Sequence, residues 1–101
     1  MICVIATIKA KTGQRQALLA CIQDNLSNVH AEIGCMEYQP MVDIESSLGA
    51  QELDENIETM VEKWETLAYL DAHAISPHML EYREKVKDIV ESVSLKVLTA
   101  A

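Results

Sequence analysis

The spacing of apolar residues changes repeatedly along the chain, and each change of period predicts an element. Ile2 to Lys9 is β-branched and apolar and is broken by Lys11-Thr12-Gly13, as a strand followed by a turn would be. From Gln14 the period lengthens: Leu18, Ile22, Leu26, Val29 and Ile33 recur at steps of three and four and form one stripe of a helix. Gln23, Asp24, Asn28 and Glu32 fall off that stripe, and Gly34 supplies a natural stop. Cys35 to Asp43 alternates again, with Met36, Tyr38, Pro40 and Val42 on one face. Pro40 cannot donate to a ladder, which predicts an edge strand or a bulge.

Residues 44–56 are polar, acidic and aperiodic, and read as a long hairpin connection. Ile57 to Glu65 is the third strand; Glu58, Met60, Glu62 and Trp64 share one face, while Ile57, Thr59, Val61 and Lys63 share the other. Apolar groups on both faces predict a sheet covered by helices on one side and by another sheet on the other. Helical spacing then runs over about 66–74 and 77–90, with Thr66 as a cap and Ser76-Pro77 restarting the pattern after a break. Met79, Tyr82, Val86, Ile89 and Val90 form the apolar stripe of the second helix, and Ser92 to Thr99 alternates as a last strand. The order is β-α-β-β-α-β with the second helix divided. Right-handed crossovers place both helical layers on one face of a four-stranded antiparallel sheet, so the predicted class is α+β, ferredoxin-like, in one domain over 1–101.

Composition changes this picture in three ways. Half of the residues are apolar, yet Phe is absent, so the core must be built from aliphatic residues and Met, and some apolar surface is available for a second subunit. Sixteen acidic against eight basic side chains give a net charge of -8, which repels a phosphate backbone and argues against nucleic-acid binding. Cys3, Cys21 and Cys35 form no close pair and read as reduced structural thiols. No stretch has the roughly 18 to 20 apolar residues needed to cross a bilayer, and the N-terminal run reads as a strand; a soluble, cytoplasmic protein is expected.

Candidate chemistry concentrates between Trp64 and Tyr82, where the only Trp, two of three His and two of three Tyr fall together. His73 and His78 lie five residues apart across a Pro break, without the i, i+4 geometry of a helical metal pair, and the cysteines lack ligand spacing. No metal site is therefore expected. The acidic residues of 45–58, Glu58 among them, read as a solvated loop. His30, near the end of the first helix, compensates the dipole there.

VIATIKAKTGQ at the start, IGCMEYQPMVD at 33–43, then EKWET, LDAH and SPHMLEY at 62–82 together resemble the antibiotic-biosynthesis-monooxygenase superfamily, across nearly the whole chain. PMVD and SPHM favour its quinol-oxidising branch. The resemblance implies a dimeric α/β barrel: a homodimer in which two sheets face each other, with an apolar pocket between sheet and helices in each subunit. It also implies no metal, flavin or haem, the quinol itself supplying electrons to dioxygen. Haem-degrading members of the superfamily use a first-strand Asn and a Trp on the helical half. Ile2 to Lys9 holds no Asn and Trp64 lies on the third strand, which argues against that branch.

Oxygenating a quinol without a cofactor requires a base for a phenolic proton, and His suits that task near neutral pH. On the resemblance, His73 of the LDAH segment is the base or proton shuttle; the alternative is that it closes its helix onto a backbone carbonyl. His78, at a helix start that disfavours imidazolium, would contact a quinone oxygen or else lie exposed. Trp64 offers a flat wall and Tyr38 a hydroxyl, and Met36, Met60, Met79 and Tyr82 complete a lining that ordinary core packing would explain as well. The implied partners are a small aromatic substrate and dioxygen. Two other readings stay open: an isomerase for a small phosphorylated ketose, needing Lys63, Arg83 and Lys85 as phosphate holders, and a non-enzymatic ligand-binding stress-response dimer.

Overall fold

The computed structural model describes residues 1–101. The elements are β1 (Ile2–Ala10), α1 (Arg15–His30), β2 (Cys35–Met41), β3 (Ile57–Trp64), α2 (Leu67–Ala74), α3 (Pro77–Val86) and β4 (Val90–Leu98). The four strands form one antiparallel sheet in the order β2-β3-β1-β4, the ferredoxin-like arrangement with its second helical layer divided in two.

One row of side chains positions everything else. β1 presents Val4, Ala6 and Ile8 to the helices, and β3 sets Glu62, Met60 and Glu58 directly opposite them. Leu18, Ile22 and Val29 of α1 and Met79 and Val86 of α3 pack onto this row, all of them buried. Burying a large aliphatic side chain contributes about 1.5 to 3 kcal/mol, and such residues supply most of the core here. The opposite sheet face, with Cys3, Ile5 and Thr7 on β1 and Thr59, Val61 and Lys63 on β3, carries no helix.

β4 is less covered than the other strands. Val93, Leu95 and Val97 pair with Ile8, Ala6 and Val4 and so point to the helical side, yet each is more than half exposed because no helix reaches them. This opening later becomes one wall of the cavity.

Several boundaries differ from those the apolar periods predict. α1 ends at His30, which leaves Ile33 outside the helix and 77% exposed. α3 ends at Val86, and β4 starts at Val90 rather than Ser92. Ile89 and Val90 keep the helical spacing, but the Lys11 N–H donates to the Ile89 carbonyl and Ala10 pairs with Val90 past a bulge, so the sheet claims these residues. A second irregularity, between Cys35 and Glu37, changes the phase of β2: Cys35 faces Trp64 and Tyr38 faces Glu62, while Met36 is pushed outward. Met36 and Tyr38 therefore do not share a face as simple alternation predicts.

Gly34 has φ of 84°, and a Cβ there would run into the Tyr69 ring of α2. Glycine at this point lets the α1–β2 turn lie against α2, two residues from Glu32.

Candidate active site

Two short helices and the turn after α1 meet over the end of β3. Thr66 caps α2 by accepting a hydrogen bond from the Tyr69 N–H at 3.3 Å, and Pro77 starts α3 where a missing N–H costs nothing. Ser76 ties the two helices together by donating through Oγ to the His73 carbonyl at 2.9 Å. His73 thus sits at the C-terminal end of α2, 5% exposed, with His78 one residue into α3.

Both histidines converge on a residue that sequence reasoning passed over. Glu32 Oε2 accepts from His73 Nδ1 at 2.7 Å and from His78 Nε2 at 3.1 Å, and its side chain is only 14% exposed. The two histidines lack the i, i+4 geometry of one helix, yet the Pro77 break leaves both imidazoles on the same carboxylate. Side chains reach across it because the third partner comes from another part of the chain. Glu32 was visible only as a polar residue off the α1 stripe, and nothing in its neighbours announces the contact.

The pairing fixes the chemistry of His73. A carboxylate accepting from Nδ1 places the imidazole N–H on that nitrogen, so in the neutral ring the lone pair is on Nε2. Nε2 has no protein partner, and the only buried side-chain polar atoms without one are the two carboxyl oxygens of Glu58. Nε2 therefore opens on a cavity of about 450 Å3 that His73 lines. Trp64 stacks behind the imidazole at 4.6 Å between centroids, tilted by 35°, and Tyr38 meets it edge-on at 5.4 Å.

Fourteen of the nineteen residues lining this cavity are hydrophobic. Tyr38, Met60, His73, Met79 and Tyr82 are among them, as the residue types suggested. Three candidates lie elsewhere. Trp64 is completely buried and supports His73 from behind, donating its indole N–H to Glu62 Oε1 at 3.0 Å, so it is not a wall. Met36, displaced by the β2 bulge, is 60% exposed and outside the cavity. His78 also lies off the lining and reaches it only through Glu32. His30 uses its place at the end of α1 to donate from Nε2 to the Tyr38 carbonyl at 3.0 Å, which anchors β2.

The cavity also contains a carboxyl that the alternation of β3 had placed on the right face without a role. Glu62 is 6% exposed, and burial raises its pKa, opposed by the Trp64 hydrogen bond and His73, with Glu32 adding to the rise. Burial, together with the Glu62 charge and weaker contributions from Tyr82, Glu58 and Glu32, pushes the Tyr38 phenol far above its usual range. Tyr82 is raised by burial, then by Glu58 and Cys21, with Arg83 pulling the other way. Both phenols therefore remain hydrogen-bond donors at any ordinary pH. Glu58 is not in a solvated loop: it is fully buried at the start of β3. All three cysteines are free, and burial plus the Glu32 and Glu62 charges keep the Cys35 thiol protonated.

This arrangement of an apolar cavity, a carboxylate-held imidazole and protonated phenols can be placed among known proteins. The family model described as antibiotic biosynthesis monooxygenase matches residues 1–85. The chain belongs to that family. Within it, the chain is 38% identical over 100 residues to the "Probable quinol monooxygenase YgiN" of Escherichia coli K12, covering 97% of this chain and 96% of that protein. The solved structure of Rv0793 from Mycobacterium tuberculosis superposes with a TM-score of 0.82 at 27% identity, covering 99% and 94% of the two chains. That of PA3566 from Pseudomonas aeruginosa gives 0.83 at 25% identity, covering 99% and 93%. Family membership makes the chain a monooxygenase by class. No helix of the chain is long and apolar enough to cross a membrane.

Proposed function

We propose that this monooxygenase oxidises a hydroquinone, menadiol-like or a related polycyclic phenol, with dioxygen and without a resident cofactor. One observation carries the reading: His73 is held at Nδ1 by Glu32 and presents Nε2 to an apolar cavity of about 450 Å3, within the range of small-molecule sites. The name of the E. coli relative supports the substrate class.

The quinol ring lies among Met60, Met79 and the β1 side chains. His73 Nε2 takes a phenolic proton, and the resulting anion gives up electrons to dioxygen far more readily than the neutral quinol. Glu32 stabilises the imidazolium so formed, as a buried carboxylate does for a catalytic histidine elsewhere. The Tyr38 and Tyr82 hydroxyls donate to quinol or quinone oxygens. In the hydroxylating outcome, quinol and dioxygen give hydroxyquinone and water, so the quinol supplies every electron; in the simpler outcome the products are quinone and hydrogen peroxide. His78 acts by positioning Glu32.

The same reading includes a homodimer packed through the uncovered sheet face, where Cys3, Ile5 and Val61 form an apolar row that is only half-buried. It also places the enzyme in the cytoplasm, which agrees with three unpaired thiols. The ketose-phosphate alternative lacks a phosphate cradle. Of the three cations it needs, Lys63 sits on the far face paired with Glu37 at 3.2 Å, Lys85 pairs with Glu81 at 3.6 Å, and Arg83 alone lines the cavity; Lys87, which also lines it, is paired with Glu84.

The test is oxygen consumption by metal-free protein given chemically reduced menadione. A rate well above uncatalysed autoxidation, saturating in quinol, supports the proposal. A rate equal to autoxidation refutes it, and saturable quinone binding without turnover would favour the non-enzymatic reading.

A further inference from the structure

The Glu32–His73–His78 cluster has a second chemical capability, separate from proton transfer. We propose that these three side chains form a site for one divalent transition-metal ion of the Zn2+ or Co2+ type, which acts on the protein as an inhibitor.

Two imidazoles and one carboxylate are the ligand set of many open zinc sites, with metal–nitrogen and metal–oxygen distances near 2.1 Å. Tetrahedral ligands at that length stand about 3.4 Å apart. Here Glu32 Oε2 lies 2.7 Å from His73 Nδ1 and 3.1 Å from His78 Nε2, and the three ligand atoms all fall within 4.8 Å of one another. Shifts on the order of 1 Å would admit an ion. Each donor is set by a different element: Glu32 by the α1–β2 turn against Gly34, His73 by the end of α2 and His78 by the start of α3. Entry is from the His78 side, which is 24% exposed, against 6% for His73. The net charge of -8 raises the local concentration of cations.

Binding also redistributes protons without net release. A metal on His73 Nδ1 needs the lone pair that the Glu32-bound tautomer does not offer, so the imidazole proton moves to Nε2. His78 likewise moves its proton to Nδ1. The ion replaces both N–H donors at Glu32. His73 then presents an N–H to the cavity and cannot accept a phenolic proton. That inhibitory consequence rests on the base role proposed for His73, whereas the metal site itself does not.

The experiment is titration of the full-length protein with Co2+, read by visible absorption, with Zn2+ as competitor. One equivalent should bind and give the d–d bands of a four- or five-coordinate cobalt, and Zn2+ should erase them. Affinity should fall at least about tenfold in both His78→Ala and Glu32→Gln and stay unchanged in His30→Ala, with circular dichroism confirming the fold of each. Absence of bands at millimolar Co2+, equal affinity in the ligand variants, or an intense thiolate charge-transfer band removed by Cys35→Ser would overturn the proposal. Because the readout is spectroscopic, a protein that oxidises no quinol would still pass or fail it.

Discussion

Glu58 makes the stability of this protein fall as pH rises, opposite to the effect of a carboxylate held by an ion pair or hydrogen bonds. It lies on the helix-facing side of β3 opposite Ile8, fully buried, with no well-formed hydrogen bond to either oxygen and only the Met41 backbone as a polar neighbour. Burial pushes its pKa up to about 8, against a partial pull from the Met41 backbone and with the Glu62 charge adding to the rise. In the unfolded chain the same group titrates near 4.5. Below that value both states hold the proton and Glu58 has no pH-dependent effect. Between 4.5 and about 8 only the unfolded chain releases it, so stability falls as pH rises; above about 8 the loss is complete. At about 1.4 kcal/mol per unit, the loss reaches about 4 to 5 kcal/mol, a large part of what a small domain has. Glu58→Gln keeps the shape and removes the titration. Urea denaturation of both proteins at about pH 5 and about pH 9 should show the variant gaining on the wild type by about 4 kcal/mol. The slope contributed by Glu62 is common to both proteins and largely cancels. Parallel curves for the two proteins would show that Glu58 is not held neutral by burial, and the reasoning would fail.

Glu32→Gln should lower turnover of reduced menadione by about tenfold or more, and should move the nitrogen NMR shifts of His73 toward a mixture of tautomers, which a purely structural loss would not do. Gly34→Ala combines a left-handed backbone with a collision against Tyr69 and should cost about 2 to 4 kcal/mol, read as a lowered Tm. Val61→Asp, at the centre of the uncovered sheet face, should convert a dimer to a monomer in sedimentation equilibrium while leaving the circular dichroism unchanged; an unaltered sedimentation profile would remove that face as the interface.

The fold was legible because its signals are local and repetitive. The period of two in β1 and β3, the stripe of Leu18, Ile22 and Val29, and the Ser76-Pro77 break each specify an element from neighbours in the chain. The misread boundaries arise where tertiary pairing prevails, as when β1 recruits Ile89 and Val90 into the sheet. The site was half legible. His73, Tyr38, Met60, Met79 and Tyr82 reach the cavity, and residue type was enough to nominate them. Glu32 could not be found this way, because its role depends on a contact 41 positions along the chain. Met36 and Trp64 were misplaced for different reasons: a bulge rotated Met36 out, and a hydrogen bond to Glu62 committed Trp64 to the core behind the imidazole. Glu58 and Glu62 stood on the apolar face of β3 in the sequence itself, and that conflict between charge and position was the available signal.

If His73 Nε2 accepts the phenolic proton inside the cavity, a small diffusible base should replace it. Chemical rescue tests this directly: oxygen uptake with reduced menadione is measured for His73→Ala without and with added imidazole, which fits the space the side chain vacates. Activity should fall by about a hundredfold or more, recover saturably with imidazole, and be unaffected by imidazole in the wild type. A His73→Ala protein that turns over at the wild-type rate, or a folded variant whose lost activity imidazole never restores, would contradict that role.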